Sequence, residues 1–117
     1  MIRIDWPASP LWPNRKAHWA ENKRARDAQR QAAYWLAREA GWHEAAPFPL
    51  RGLHLSMTFC GPSRTSRYDL DGGLAAMKGA VDGIAACIGV DDSLFGYTLA
   101  RGDKCKDGAV LVTVEVA

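Results

Sequence analysis

Residues 67–92 read RYDLDGGLAAMKGAVDGIAACIGVDD. Met77, Val81, Ile84 and Ile88 recur at spacings of four, three and four, the period of a helix with one apolar face. That spacing predicts a helix from about residue 73 to residue 88, stopped at Gly89. At ~100° per residue, Asp71, Lys78 and Asp82 form one polar ridge of that helix, roughly 100° from the centre of the apolar face. Asp91 and Asp92 follow in a loop. Five carboxylates (Asp69, Asp71, Asp82, Asp91 and Asp92) therefore share the stretch with one lysine, Lys78.

Outward from this helix the pattern is a small sheet with helical cover. Leu53, Leu55, Met57 and Phe59 alternate with His54, Ser56, Thr58 and Cys60, which reads as a half-buried strand. Ile2, Ile4 and Trp6 alternate with Arg3 and Asp5 as a short first strand. Pro7, Pro10 and Pro13 forbid regular structure to about residue 20. Asn22 is the expected N-cap of a first helix ending at Gly41, with Ala25, Ala28, Ala32, Trp35 and Leu36 as its apolar stripe. AAPFPLRG, residues 45–52, is a loop. Two strands near residues 95–101 and 109–116 close the chain, with Lys104 to Gly108 as the hairpin turn between them. The order β-α-β-α-β-β describes one α+β domain over residues 1–117, a mixed sheet of about four strands under two helices.

Composition bounds the rest. The chain has 117 residues, 48% hydrophobic and 24% charged, enough apolar content for a buried core. No apolar run approaches the ~20 residues of a membrane span. MIRIDWPASP at the N-terminus lacks the apolar centre of a signal peptide, so the expectation is a cytoplasmic protein away from membranes. Cys60, Cys87 and Cys105 are odd in number and lack CxxC spacing, which reads as three free thiols. His18, His43 and His54 are scattered, so a zinc site is not expected.

The net charge of +2 conceals an asymmetry. Arg15, Lys16, Lys23, Arg24, Arg26 and Arg30 face only Glu21 and Asp27 over residues 15–30, whereas the acids concentrate after residue 68. One basic and one acidic region suggest a polyanionic partner with metal ions between it and the protein. In an extended segment Asp69 and Asp71 point the same way and repel unless a cation lies between them. Mg²⁺, with Mn²⁺ as an alternative, suits such oxygen ligands, and Asp91–Asp92 offers a third carboxylate. Hard cations can activate water for in-line attack at phosphorus, while a lysine offsets the developing charge. The plainer alternative makes Asp69 or Asp71 a helix cap and Asp91–Asp92 a surface turn.

Two families resemble the segment. YDLDGGL is similar to the first motif of haloacid dehalogenase-like phosphatases, and GDKCKD at residues 102–107 to a later one. However, SRTSRY rather than a buried strand precedes the motif, and Gly73 replaces its threonine. Only 30 residues separate Asp71 from Gly102, too few for that family's doubly wound sheet. The broader resemblance is to the RusA-type Holliday junction resolvases. It includes Trp6-Pro7 or Trp12-Pro13, then Asn14-Arg15, Arg67-Tyr68-Asp69-Leu70-Asp71, the helix from Lys78 to Asp82, and Gly89-Val90-Asp91-Asp92.

That resemblance implies a homodimeric, Mg²⁺-dependent endonuclease that makes paired nicks in four-way DNA junctions during recombination and repair, in a cell or a prophage. It implies Asp69, Asp71 and Asp92 as metal ligands, with Asp91 sharing or exchanging the last role, and Lys78 as the catalytic lysine. Asp82 reads as more structural than catalytic. The sequence departs from the pattern at Gly72-Gly73, where an asparagine is usual, and Lys78 stands seven residues after the second aspartate, where some members have it four after. The three extra residues turn the lysine by about 60° and advance it ~4.5 Å along the helix. Arg64 and Arg67 beside the acids are the first candidates for DNA phosphates, followed by Arg15, Lys16, Lys23 and Arg24. An inactive branched-DNA-binding protein of the same fold is the alternative. The five tryptophans lie within the first 42 residues. Interleaved with basic residues they could stack on bases. The simpler expectation puts Trp35 in the core and the others over the proline-rich segment or a dimer interface.

Overall fold

A computed structural model of the chain describes residues 1–13, 18–44, 52–63 and 67–116. Its elements in chain order are β1 (Ile2–Asp5), α1 (Trp19–Glu39), β2 (Leu53–Cys60), α2 (Leu70–Ala76), α3 (Lys78–Ile88), β3 (Phe95–Arg101) and β4 (Ala109–Val116). Among the described residues the molecule is an α+β domain with a mixed sheet ordered β1-β4-β2-β3, three α-helices and three short 3-10 turns. β2 runs parallel to β3, with Leu53 opposite Phe95, and antiparallel to β4, with Met57 opposite Val112.

The core follows the period-two pattern. Ile2, Ile4, Leu55, Met57, Phe59, Val110 and Val112 are buried and meet Met77, Val81, Ile84 and Ile88 from the helices. His54, Ser56 and Thr58 point to the opposite, half-buried face of β2.

Four expectations change. Residues 102–108 do not close a hairpin, because β3 and β4 flank β2 on opposite sides. The segment instead crosses the end of β2, where the Gly102 N–H donates to the Phe59 carbonyl (2.9 Å) and the Cys105 N–H to the Gly61 carbonyl (3.0 Å). α1 starts at Trp19 with His18 as N-cap. Asn22 lies inside the helix and donates to the Pro10 carbonyl at 2.8 Å, pinning the proline-rich segment.

The buried face of α1 is Gln29, Ala33 and Ala37, whereas Trp35 is 58% exposed and Ala28 and Ala32 are also exposed. The cause is a close approach of two backbones. A Cβ on Gly79 would stand 2.8 Å from the Arg26 carbonyl oxygen, and one on Gly83 would collide with the Arg30 carbonyl. α1 therefore presents small residues and its own main chain to α3, and no indole fits there.

The acidic segment differs most. One helix was expected, yet it divides at Met77 into α2 and α3. In a continuous helix the Ala80 N–H would donate to the Ala76 carbonyl. Here the buried Gln29 amide stands between them, its Nε2 donating to Ala76 O (3.1 Å) and its Oε1 accepting from Ala80 N (2.9 Å). A side chain inserted into the ladder bends a helix without proline. α3 ends as expected, with Gly89 at φ +82°.

Candidate functional site

Lys78 opens α3 immediately after the break, and its Nζ lies 3.7 Å from Asp92 Oδ2. The partners are fourteen residues apart in sequence, joined because Gly89 reverses the chain after α3 and a 3-10 turn over Asp92–Leu94 follows. Asp91 caps that turn by accepting from the Ser93 N–H at 2.9 Å. The same Ser93 N–H, and then the Ser93 side chain, hold the Asp91 carboxyl below its ordinary range. Of the acidic pair, Asp92 is the one that meets the lysine.

Asp82, one helical turn beyond Lys78, belongs to the same neighbourhood. Burial, followed by the negative charges of Asp92 and Asp82, raises the Tyr97 hydroxyl above its ordinary pKa. Tyr97 on β3 thus lies within electrostatic reach of both acids. The sequence marked it only as a strand residue.

Asp69 and Asp71 occupy the other end of α2. Asp69 is its N-cap, one carboxylate oxygen accepting from the Gly72 N–H at 2.8 Å and the other having no hydrogen bond among the described residues. A Cβ on Gly72 would sit 2.5 Å from that bonded oxygen, and one on Gly73 would sit 2.8 Å from the Phe59 ring. The glycine pair that breaks the resemblance therefore has a local reason: it lets the cap close and α2 lie on Phe59. Asp71, exposed in the first turn, has no hydrogen-bond or ion-pair partner among the described residues.

The approach to Asp69 is anchored by Tyr68. Its hydroxyl donates to the Phe59 carbonyl (3.3 Å), and the Arg101 guanidinium donates to its carbonyl (3.0 Å) while lying 4.6 Å from its ring centre. Trp6 and Trp12 pack around the same ring, with centroids 5.0 and 6.0 Å away, and the Trp12 indole N–H donates to the Pro7 carbonyl at 3.1 Å. Trp42 is buried as well. Trp19 is 73% exposed.

Lys78, Asp82, Asp91 and Asp92 are thus brought together, with Asp69 and Asp71 at the far end of α2, a helix ~10 Å long. Among the described residues no three His, Cys, Asp or Glu side chains gather as a metal shell. The donors are carboxylate oxygens of the kind Mg²⁺ takes, but Asp69, Asp71 and Asp92 do not form a closed set in this arrangement. Of the DNA-contact candidates, Arg67 and Arg24 are exposed, whereas Lys23 is paired with Asp27 at 2.7 Å. Arg15, Lys16 and Arg64 lie outside the described residues. No helix among the described residues is long and apolar enough to cross a membrane.

No family model matches the chain. Over 115 residues, 97% of its length and 74% of the other's, it is 34% identical to an uncharacterized protein of Xylella fastidiosa.

Proposed function

We propose that this chain, which belongs to one family with the uncharacterized Xylella fastidiosa protein, is a metal-dependent, structure-selective endodeoxyribonuclease. It resolves four-way DNA junctions by paired nicks and acts as a homodimer. The observation that carries the reading is the Lys78–Asp92 pair. An ammonium oriented by a carboxylate at the head of a helix is suited to meet a phosphate and offset charge on its oxygens. Asp69, Asp71 and Asp92, with Asp91 adjacent, are the carboxylates that would hold Mg²⁺ or Mn²⁺. When bound, such an ion supplies a Lewis acid and a water of lowered pKa. The chain's own work is to aim Lys78, through Gln29 and Asp92, and to fix the Asp69 backbone through Tyr68 and Arg101. A twofold-symmetric junction with two cuts calls for two copies of a subunit carrying one site.

A second reading, a non-cutting branched-DNA binder, is favoured by two contacts: Asp69 already serves as a helix cap and Lys78 is already paired. The phosphatase reading has less support, because residues 61–68 separate the end of β2 from Asp69, whereas that motif directly follows a strand.

Incubation with a labelled synthetic four-way junction and Mg²⁺ separates the three. Paired symmetric nicks support the nuclease. A gel shift without nicks supports the binder, and phosphate released from a small monoester without junction binding supports the phosphatase.

A further inference from the structure

Beside the Lys78–Asp92 pair, α1 and α3 enclose an open groove of about 630 Å³. Arg26 and Arg30 line one wall, and Asp82, Asp91 and Asp92 the other. The two arginines stand there because of the glycines opposite. Gly79 and Gly83 bring the α3 backbone against the main-chain carbonyls of Arg26 and Arg30, so both guanidinium groups must emerge at the rim.

The other charged groups of the groove are largely engaged. Asp27 is held by Lys23 at 2.7 Å, Asp92 faces Lys78, and Asp91 caps its turn. Arg26 and Arg30 form no ion pair within 4 Å among the described residues. They are exposed and four residues apart on the helix, ~6 Å along the axis. Guanidinium forks match phosphate oxygens better than ammonium groups do.

We infer that Arg26 and Arg30 are phosphate-contacting residues for a DNA strand that lies in the α1–α3 groove beside the Lys78–Asp92 pair. The inference rests on the nuclease reading and adds a binding wall to it. The opposite wall is acidic and repels phosphate on its own, so the strand's hold on the groove depends on divalent cations to screen that wall.

The test compares the full chain with the Arg26→Ala/Arg30→Ala double variant on a labelled four-way junction in Ca²⁺, across a range of salt. Arg38→Ala, an exposed arginine of α1 outside the groove, controls for net charge. The double variant should lose about two units of the log–log salt slope and on the order of tenfold in affinity. Arg38→Ala should change either by far less. An Arg26→Lys/Arg30→Lys variant should fall between, since charge remains and the fork is lost. Thermal melts of all variants should match the wild type, because these side chains are exposed. Wild-type binding that the double variant reproduces with an unchanged slope overturns the inference and leaves the nuclease reading intact. An equal loss in Arg38→Ala also overturns it, by reducing the effect to net charge. Absence of any junction binding by the wild type removes both.

Discussion

Asp69 illustrates how one residue satisfies both the plain and the chemical expectation. One of its oxygens caps α2 through the Gly72 N–H, and the other makes no hydrogen bond among the described residues. The two roles separate by substitution. Asp69→Asn retains a good N-cap and should fold with near-native stability while abolishing junction cutting and sparing binding, read by nicking and gel-shift assays. Asp69→Ala should in addition lose about 1 kcal/mol in urea unfolding, the usual cost of a missing cap. Cutting that survives Asp69→Asn would remove Asp69 from the ligand set. Lys78→Met should likewise abolish cutting without unfolding the protein, since its side chain is 58% exposed. Retained cutting would assign the lysine to solvation alone. The acids and the lysine were legible as residue types in a tight segment. Which aspartate of the 91–92 pair meets Lys78 was not, because that depends on a 3-10 turn whose cap uses up Asp91.

At the scale of the element, the break between α2 and α3 governs where Lys78 points. The sevenfold spacing from Asp71 invites a rotation computed on a straight helix, and the Gln29 amide makes that arithmetic inapplicable. Gln29→Ala would leave the Ala76 carbonyl and the Ala80 N–H buried without the partner they share, at a cost of about 2–4 kcal/mol in chemical denaturation. A loss below about 0.5 kcal/mol would show that the ladder closes on itself. Gly83→Ala tests the other half of the contact. Its methyl would meet the Arg30 carbonyl, so the variant should be destabilised by about 1–3 kcal/mol, whereas an unchanged unfolding midpoint would contradict the close approach.

Tyr97 reports on the same junction of elements through pH. Its folded pKa is raised, first by burial and then by Asp92 and Asp82. The stabilising contribution is therefore complete below the ordinary tyrosine value of 10.0 and is lost as pH rises through the folded value. An NMR titration should find Tyr97 ionising later than a free tyrosine, and earlier again in Asp92→Asn. If Asp92→Asn leaves it unmoved, the acid does not act on Tyr97.

At the scale of the whole molecule, the proposed homodimer predicts sedimentation at twice the 12.8 kDa chain mass. A chain that stays monomeric with a junction bound and still makes paired cuts would refute the two-site geometry. What the sequence determined alone is what local periodicity encodes: four strands, a helical cover, the Gly41 and Gly89 stops, and the apolar stripe of Met77, Val81, Ile84 and Ile88. These follow from side-chain alternation and backbone preference over a few residues. Tertiary structure decided which strands are neighbours, which face of α1 is buried, where the acidic helix breaks and which acid faces Lys78. Each of those depends on groups distant in sequence: Gln29 on Ala76 and Ala80, Gly83 on Arg30, and residues 102–105 on the end of β2. A helix whose stripe is mostly alanine has nearly equal apolar choices around it, so packing against a glycine surface, rather than hydrophobicity, selected the face.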